Sequence, residues 1–171
     1  LFADPDVANG TTYYYQVRAV GENGLLSAPA STGPLIPHAP ILSIVIDEPL
    51  VLHHNLSAVE RSPQSTAAVM APGITEIAGA GAGLRAQIGW APAGTEEFTW
   101  ADGTYVTDNQ GGANVYSGTM LPEAAGEYDF AWRATTTGGR DWTLSDTRGK
   151  LTVYPAADAE APKPPFRLHP V

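Results

Sequence analysis

The chain of 171 residues has no cysteine. That excludes a disulfide framework, a thiolate metal site and a cysteine nucleophile. Positive charge is scarce too. Nine Lys and Arg stand against 18 Asp and Glu, for a net charge of −9. A polyanion such as nucleic acid therefore meets repulsion instead of counterion release, and an anionic membrane surface is disfavoured for the same reason. No apolar run is long enough to cross a bilayer, so no membrane insertion is expected. No segment keeps an i, i+3, i+4, i+7 apolar stripe over three turns. Known catalytic signatures are missing as well: there is no His-Glu-x-x-His, no Gly-x-Ser-x-Gly and no Walker motif. "GAGAG" at 79–83 precedes no helical pattern, so it lacks the helix N-terminus that a phosphate loop needs. His53 and His54 are adjacent, hence on opposite faces of a strand, and cannot chelate one metal together. No catalytic residue, metal or cofactor is assigned, and the chain itself is expected not to be an enzyme.

What is present points to strands. Gly 18 and Pro 15 supply turns, and 43% hydrophobic content against 16% charged residues allows a substantial core. The chain opens on Leu1 with no charged n-region followed by an apolar run, so it reads as an internal piece of a longer protein. In "DPDVANGTTYYYQVRAVGENGLLSAPAS", the turns Asn9-Gly10 and "GENG" (21–24) bracket a β-branched and aromatic stretch, Thr11 to Val20. Tyr13, Tyr15, Val17 and Ala19 share one face there, and Leu25 to Ala28 forms the expected return strand. Through Val7, Gly10, Thr11, Tyr13, Val17 and Ala19 this stretch resembles the last two strands of a fibronectin type III domain, with Tyr13 as its corner tyrosine. "STGPLIPHAP" (31–40) reads as a linker or lead-in strand, and "PAADAEAPKPPFRLHPV" (155–171) as a Pro-rich linker and the start of a next module. The expected organisation is a type III-like hairpin at 1–32, a linker at 33–40, one complete module at 41–154, and the Pro-rich tail at 155–171.

Residues 41–154 show strand patterning throughout. "ILSIVIDEP", "LVLHHNLSAV", "STAAVM", "LRAQIGW", "FTWADGTYV", "NVYSGTML", "EYDFAWRAT", "DWTLSD" and "KLTVYP" are separated by Gly, Asn and Asp turns. That spacing predicts an all-β, antiparallel sandwich of about eight strands. The stretches "GLRAQIGWAPAG" (83–94), "FTWADGTYV" (98–106), "NQGGANVYSGTML" (109–121), "GEYDFAWRATTTGGRDWTLSD" (126–146) and "GKLTV" (149–153) resemble an immunoglobulin-like module that recurs in secreted bacterial enzymes, amylopullulanases among them. Phe98 stands where that family often has the first Trp of a Trp-x-Trp. The resemblance implies a non-catalytic accessory module of a secreted or cell-surface, bacterial-type polysaccharide-degrading enzyme. Its partners would be the neighbouring domains of its own chain and a polysaccharide, for which a starch-type α-glucan is the natural inference. The alternative is a structural spacer or a cell-surface adhesion module with no sugar ligand.

The aromatic residues decide between these readings. In a strand, Tyr128, Phe130, Trp132 and Ala134 share one face, and Asp129, Ala131, Arg133 and Thr135 the other. The first set reads as core, each buried ring contributing roughly 1.5–3 kcal/mol. Trp142 follows the turn "TTTGGRD" and begins a short strand, although it also alternates with Leu144 as a core pair would. Trp90 precedes "APAG" and Trp100 precedes "ADG", both at strand ends. A pyranose needs an aromatic face for its C–H surface and polar side chains for its hydroxyls. The candidate ligand-binding residues are therefore Trp142, Trp90 and Trp100, with Arg140 and Asp146 as polar partners. Asp108, Asn109 and Asn114 in "TDNQGGAN" read as turn residues satisfying their own backbone.

Overall fold

A computed structural model describes Asp4 and residues 6–156. The tail expected to open a next module lies, from residue 157 on, outside the described residues. No helix occurs among those described. The strands are β1 (Gln16–Val17), β2 (Ala30–Ser31), β3 (Ser43–Ile46), β4 (Val51–Asn55), β5 (Ser65–Met70), β6 (Arg85–Pro92), β7 (Thr99–Asp102), β8 (Thr104–Asp108), β9 (Asn114–Gly118), β10 (Gly126–Thr135), β11 (Thr143–Leu144) and β12 (Gly149–Tyr154).

Ten of these fall within 41–154, in two sheets. One has the order β4-β12-β10-β6-β7, with β11 pairing the far end of β10; the other is β3-β5-β9-β8. Alternation explains how they close. In β5, Ser65, Ala67 and Val69 are buried while Thr66, Ala68 and Met70 are less so. In β12, Gly149, Leu151 and Val153 turn inward. Ile44, Ile46, Val69 and Tyr116 from the four-stranded sheet meet Ile88, Phe130, Trp132 and Leu151 from the larger one in a single core. A hydrogen bond crosses that core: the Trp132 Nε1–H donates to Ser65 Oγ over 3.1 Å. Among the described residues, no buried side-chain nitrogen or oxygen lacks a partner, as expected where unpaired burial costs about 1–3 kcal/mol.

Two features depart from the sequence expectation. First, "FTWADGTYV" is not one strand. Thr99–Asp102 pairs with β6 and Thr104–Asp108 with β9, so the chain changes sheets at Gly103. The Gly103 N–H donates to the Ala86 carbonyl, and a Cβ there would lie 2.6 Å from Trp132 Cζ3. Only glycine lets the backbone pass so close to the indole. Second, the larger sheet is mixed. β4 runs parallel to β12, with Leu52 opposite Leu151. Period-2 alternation assigns a side chain to a face but leaves the partner strand and its direction open.

The N-terminal segment also differs from the simple hairpin expected. The turn is where "GENG" places it, with the Gly21 N–H donating to the Leu25 carbonyl and Val20 bridging Leu26. The main pairing lies further out, between β1 and β2 and between Tyr13 and Leu35. The return arm therefore runs into the proline-rich stretch, beyond Leu25–Ala28. The Tyr13 hydroxyl accepts the Ala8 N–H at 2.8 Å. Val17, Val20, Leu25 and Leu26 stay exposed. The same stretch then meets the larger sheet, where His38 Nδ1 lies 2.7 Å from the Thr136 carbonyl.

Candidate binding face

β10 carries its side chains to two different surfaces. Phe130, Trp132 and Ala134 are fully buried and Tyr128 nearly so; the Tyr128 hydroxyl donates to the Ala124 carbonyl at 2.8 Å. Between them, Asp129, Ala131 and Arg133 belong to the outer face of the larger sheet, and on that face two of the remaining tryptophans, Trp100 and Trp142, gather.

Arg133 is the centre of the group. Its guanidinium carbon lies 4.1 Å from the Trp100 ring centroid and 4.2 Å from that of Trp142. Its Nε and Nη2 both donate to Gln87 Oε1, at 2.9 and 2.6 Å. Gln87 Nε2 in turn donates to Asp102 Oδ1 at 2.8 Å, and Arg85 Nη2 lies 3.3 Å from the same oxygen. Arg85 also stands 6.0 Å from the Trp142 ring centroid. On the other flank Phe98 stacks on Trp100 at 5.3 Å between centroids. Arg148 lies 5.2 Å from the Phe98 ring and reaches both carboxylate oxygens of Glu96. The result is a ladder of alternating cations and rings: Arg85, Trp142, Arg133, Trp100, then Phe98 and Arg148.

The strands build this ladder by register. Trp100 in β7 stands opposite Gly89 in β6, and a Cβ at Gly89 would approach within 2.5 Å of the indole. The missing side chain lets the ring lie on the sheet. Leu144 in β11 stands opposite Arg133, which puts Trp142, two residues earlier, on the same outer face. Trp142 and Leu144 thus do alternate together, but outward, and Leu144 is exposed. Burial lowers the Arg133 pKa. The Gln87 amide first, then Arg85, holds the Asp102 carboxyl below its usual range. Further along the face Lys150 pairs with Asp129; with the Gly94 N–H, it lowers the Asp129 pKa.

The five sequence candidates are not brought together. Trp100 and Trp142 are half-buried and share the ladder. Trp90 is 9% exposed and sits in the core, one residue out of phase with Gly89 and so on the sheet's inner side. Arg140 is exposed and turns to the N-terminal stretch, with Nε donating to the Thr137 carbonyl and Nη2 3.5 Å from His38 Nε2. Asp146 is exposed beyond β11. Sequence reasoning placed Arg133 on the outer face but did not give it a role; its position beside a core tryptophan was the available signal. In the turn 108–114 only Asn109 satisfies its own backbone as expected; Asp108 and Asn114 instead hold the 79–81 loop, with Asn114 Oδ1 accepting the Gly81 N–H and its amide donating to the Gly79 carbonyl. Asp108 accepts from the Gly79 N–H, the Tyr105 hydroxyl and the Asn114 amide, and Asn109 Oδ1 from the N–H groups of Gly111 and Ala113.

No protein-family model matches the chain. Curated relatives do. An amylopullulanase of Thermoanaerobacter thermohydrosulfuricus is 26% identical over 196 residues, covering 99% of this chain and 13% of that protein. One of Thermoanaerobacterium thermosulfurigenes is 26% identical over 193 residues, covering 99% and 10%. One of Thermoanaerobacterium saccharolyticum is 27% identical over 188 residues, covering 99% and 14%. The chain therefore spans only 10–14% of the length of these relatives. It is homologous, along its whole length, to a short region of much larger amylopullulanases.

Proposed function

We propose that the chain is a non-catalytic accessory module of a secreted polysaccharide-degrading enzyme, and that it positions the domains on either side of it. The carrying observation is the alignment of the whole chain with a tenth to a seventh of amylopullulanases. The ladder supports positioning over capture at the tryptophans. Arg133 occupies the space between Trp100 and Trp142, where a sugar ring would have to stack. Each such contact is worth ~0.5–2 kcal/mol as it stands.

The immunoglobulin-like reading of 41–154 belongs to the same proposal. Its support is the strand order: β3-β5-β9-β8 faces a sheet in which β12, β10 and β6 are successive neighbours. That matches the ABED and GFC sheets of an immunoglobulin sandwich. Tyr128, bonded to a backbone carbonyl four residues upstream, supplies the corner contact expected near the start of strand F. Residues 1–32 are read as the closing strands of a type III-like module, 33–40 as the stretch that joins the two, its first part still paired with Tyr13 through Leu35, and 155–171 as the lead into the next.

The test is an exchange. In the amylopullulanase of Thermoanaerobacterium saccharolyticum, the aligned region is replaced by this chain or by a Gly/Ser linker of equal length. The chimera should keep pullulan hydrolysis and thermal half-life, the linker version should lose part of one or both, and the isolated chain should release no reducing sugar. A linker version equal to the chimera in both respects, or hydrolysis by the isolated chain, contradicts the proposal.

A further inference from the structure

The opposite end of the same outer face holds aromatic surface that no arginine among the described residues stacks on. Tyr154, the last residue of β12, keeps 47% of its surface in solvent. Its ring lies within 19° of parallel to that of His53 in β4, at 5.9 Å between centroids. The two are tied by the Tyr154 hydroxyl, 3.2 Å from His53 Nδ1. β4 and β12 run parallel with His53 opposite Thr152 and Asn55 opposite Tyr154. His53, Asn55 and Tyr154 therefore emerge together, beside an open cleft that they line with His54, Glu60, Arg61 and Pro63.

The far wall of this cleft is a loop held in place from several sides. Ser57 Oγ accepts the N–H groups of Val59 and Glu60. His54 Nε2 lies 3.1 Å from the Glu60 carbonyl. The buried Ser62 exchanges bonds with Met120, donating its N–H to the Met120 carbonyl and accepting the Met120 N–H on Oγ. Yet the side chains of Asn55, Glu60 and Arg61 enter no hydrogen bond or ion pair among the described residues. A pinned backbone presenting uncommitted amide, carboxylate and guanidinium groups beside an aromatic ring is the pairing a pyranose requires. The ring meets its C–H face and the planar polar groups take adjacent hydroxyls. At the tryptophan ladder the equivalent groups are already spent on one another.

We propose that the His53–Tyr154 cleft is a subsite for a neutral oligosaccharide, with one pyranose on Tyr154 and its hydroxyls on Asn55, Glu60 and Arg61. The choice of sugar over another small polar ligand rests on the reading of the chain as part of a polysaccharide-degrading enzyme. The site itself rests on the geometry.

The probe is maltoheptaose, titrated into the isotope-labelled full chain and followed by amide chemical shifts. Shifts should centre on residues 53–55, 60–61 and 154. Tyr154→Ala should weaken association about tenfold, while Tyr154→Phe, which keeps the ring, should stay within about threefold. The paired change Glu60→Ala with Arg61→Ala, confined to exposed side chains, should weaken it severalfold without altering the fold. Trp142→Ala should leave it unchanged. An absence of shifts in the cleft at millimolar sugar, shifts centred on Trp100 and Trp142, or wild-type affinity in the Glu60/Arg61 variant would overturn the subsite. Such a failure leaves the exchange experiment unaffected, so a positioning module that binds no sugar remains distinguishable.

Discussion

The inner and outer faces of β10 treat aromatic rings in opposite ways. Inside, Trp132 and Phe130 are held by surrounding apolar atoms, and the only polar demand is the indole N–H that Ser65 meets. Outside, Trp100 and Trp142 flank one arginine, whose Nε and Nη2 hydrogens are fixed by Gln87, itself bonded to the Asp102 carboxylate. The difference lies in what each surface can supply. The core offers close packing away from solvent, whereas the outer face offers charged side chains that must stay partly solvated. Tryptophan counts therefore say little about ligand binding until each ring's neighbours are known.

This contrast can be broken from the inside first. Trp132→Ala should cost about 3–5 kcal/mol, since it empties a fully buried site beneath Gly103 and Gly118. Chemical denaturation measures it. Gly89→Ala comes next. The added methyl lifts Trp100 off the sheet, with an expected loss of about 1–3 kcal/mol and a change in near-ultraviolet circular dichroism. Trp142→Ala removes half of the arginine's enclosure and should cost about 1–2 kcal/mol. In a double-mutant cycle with Arg133→Met the two effects should fall clearly short of additivity.

The smallest effects concern pH. Asp102 and Asp129 have lowered folded-state pKa values. Their contribution is present above the unfolded value of about 3.9 and is lost as pH falls through the folded values, so stability should decline from about pH 5 downward. Lys150→Met should remove the larger part of Asp129's share and leave the part held by the Gly94 N–H. At the other extreme, burial pushes Tyr116 up to about 12. A raised folded value is lost as pH rises, so stability should fall from about pH 10 toward that value, and Tyr116→Phe should blunt the fall.

Much of the inner face was legible in the sequence. Tyr128, Phe130, Trp132 and Ala134 alternate with small or polar residues, and Leu84, Ala86 and Ile88 do the same, because period-2 spacing is a local property of a strand. The division of "FTWADGTYV" was not, since it depends on how near Gly103 comes to an indole 29 positions later. Nor was the ladder. It needs Trp100 opposite Gly89 and Leu144 opposite Arg133, registers set by sheet assembly. Trp90 shows the same limit. A strand end suggested an exposed ring, but its phase with Ile88 carries it into the core. His53 and Tyr154 are separated by a hundred residues, and only the parallel pairing of β4 with β12 makes them neighbours.

The most direct test of the account is the environment of the Arg133 guanidinium, read from its Nε–H and Hδ resonances. Two flanking indoles should move both well upfield of an ordinary arginine and slow the Nε–H exchange, and the shift should shrink by stages in Trp142→Ala and Trp100→Ala. Ordinary arginine shifts with fast exchange would mean that the rings stand open, and that the outer tryptophans are free to take a ligand after all.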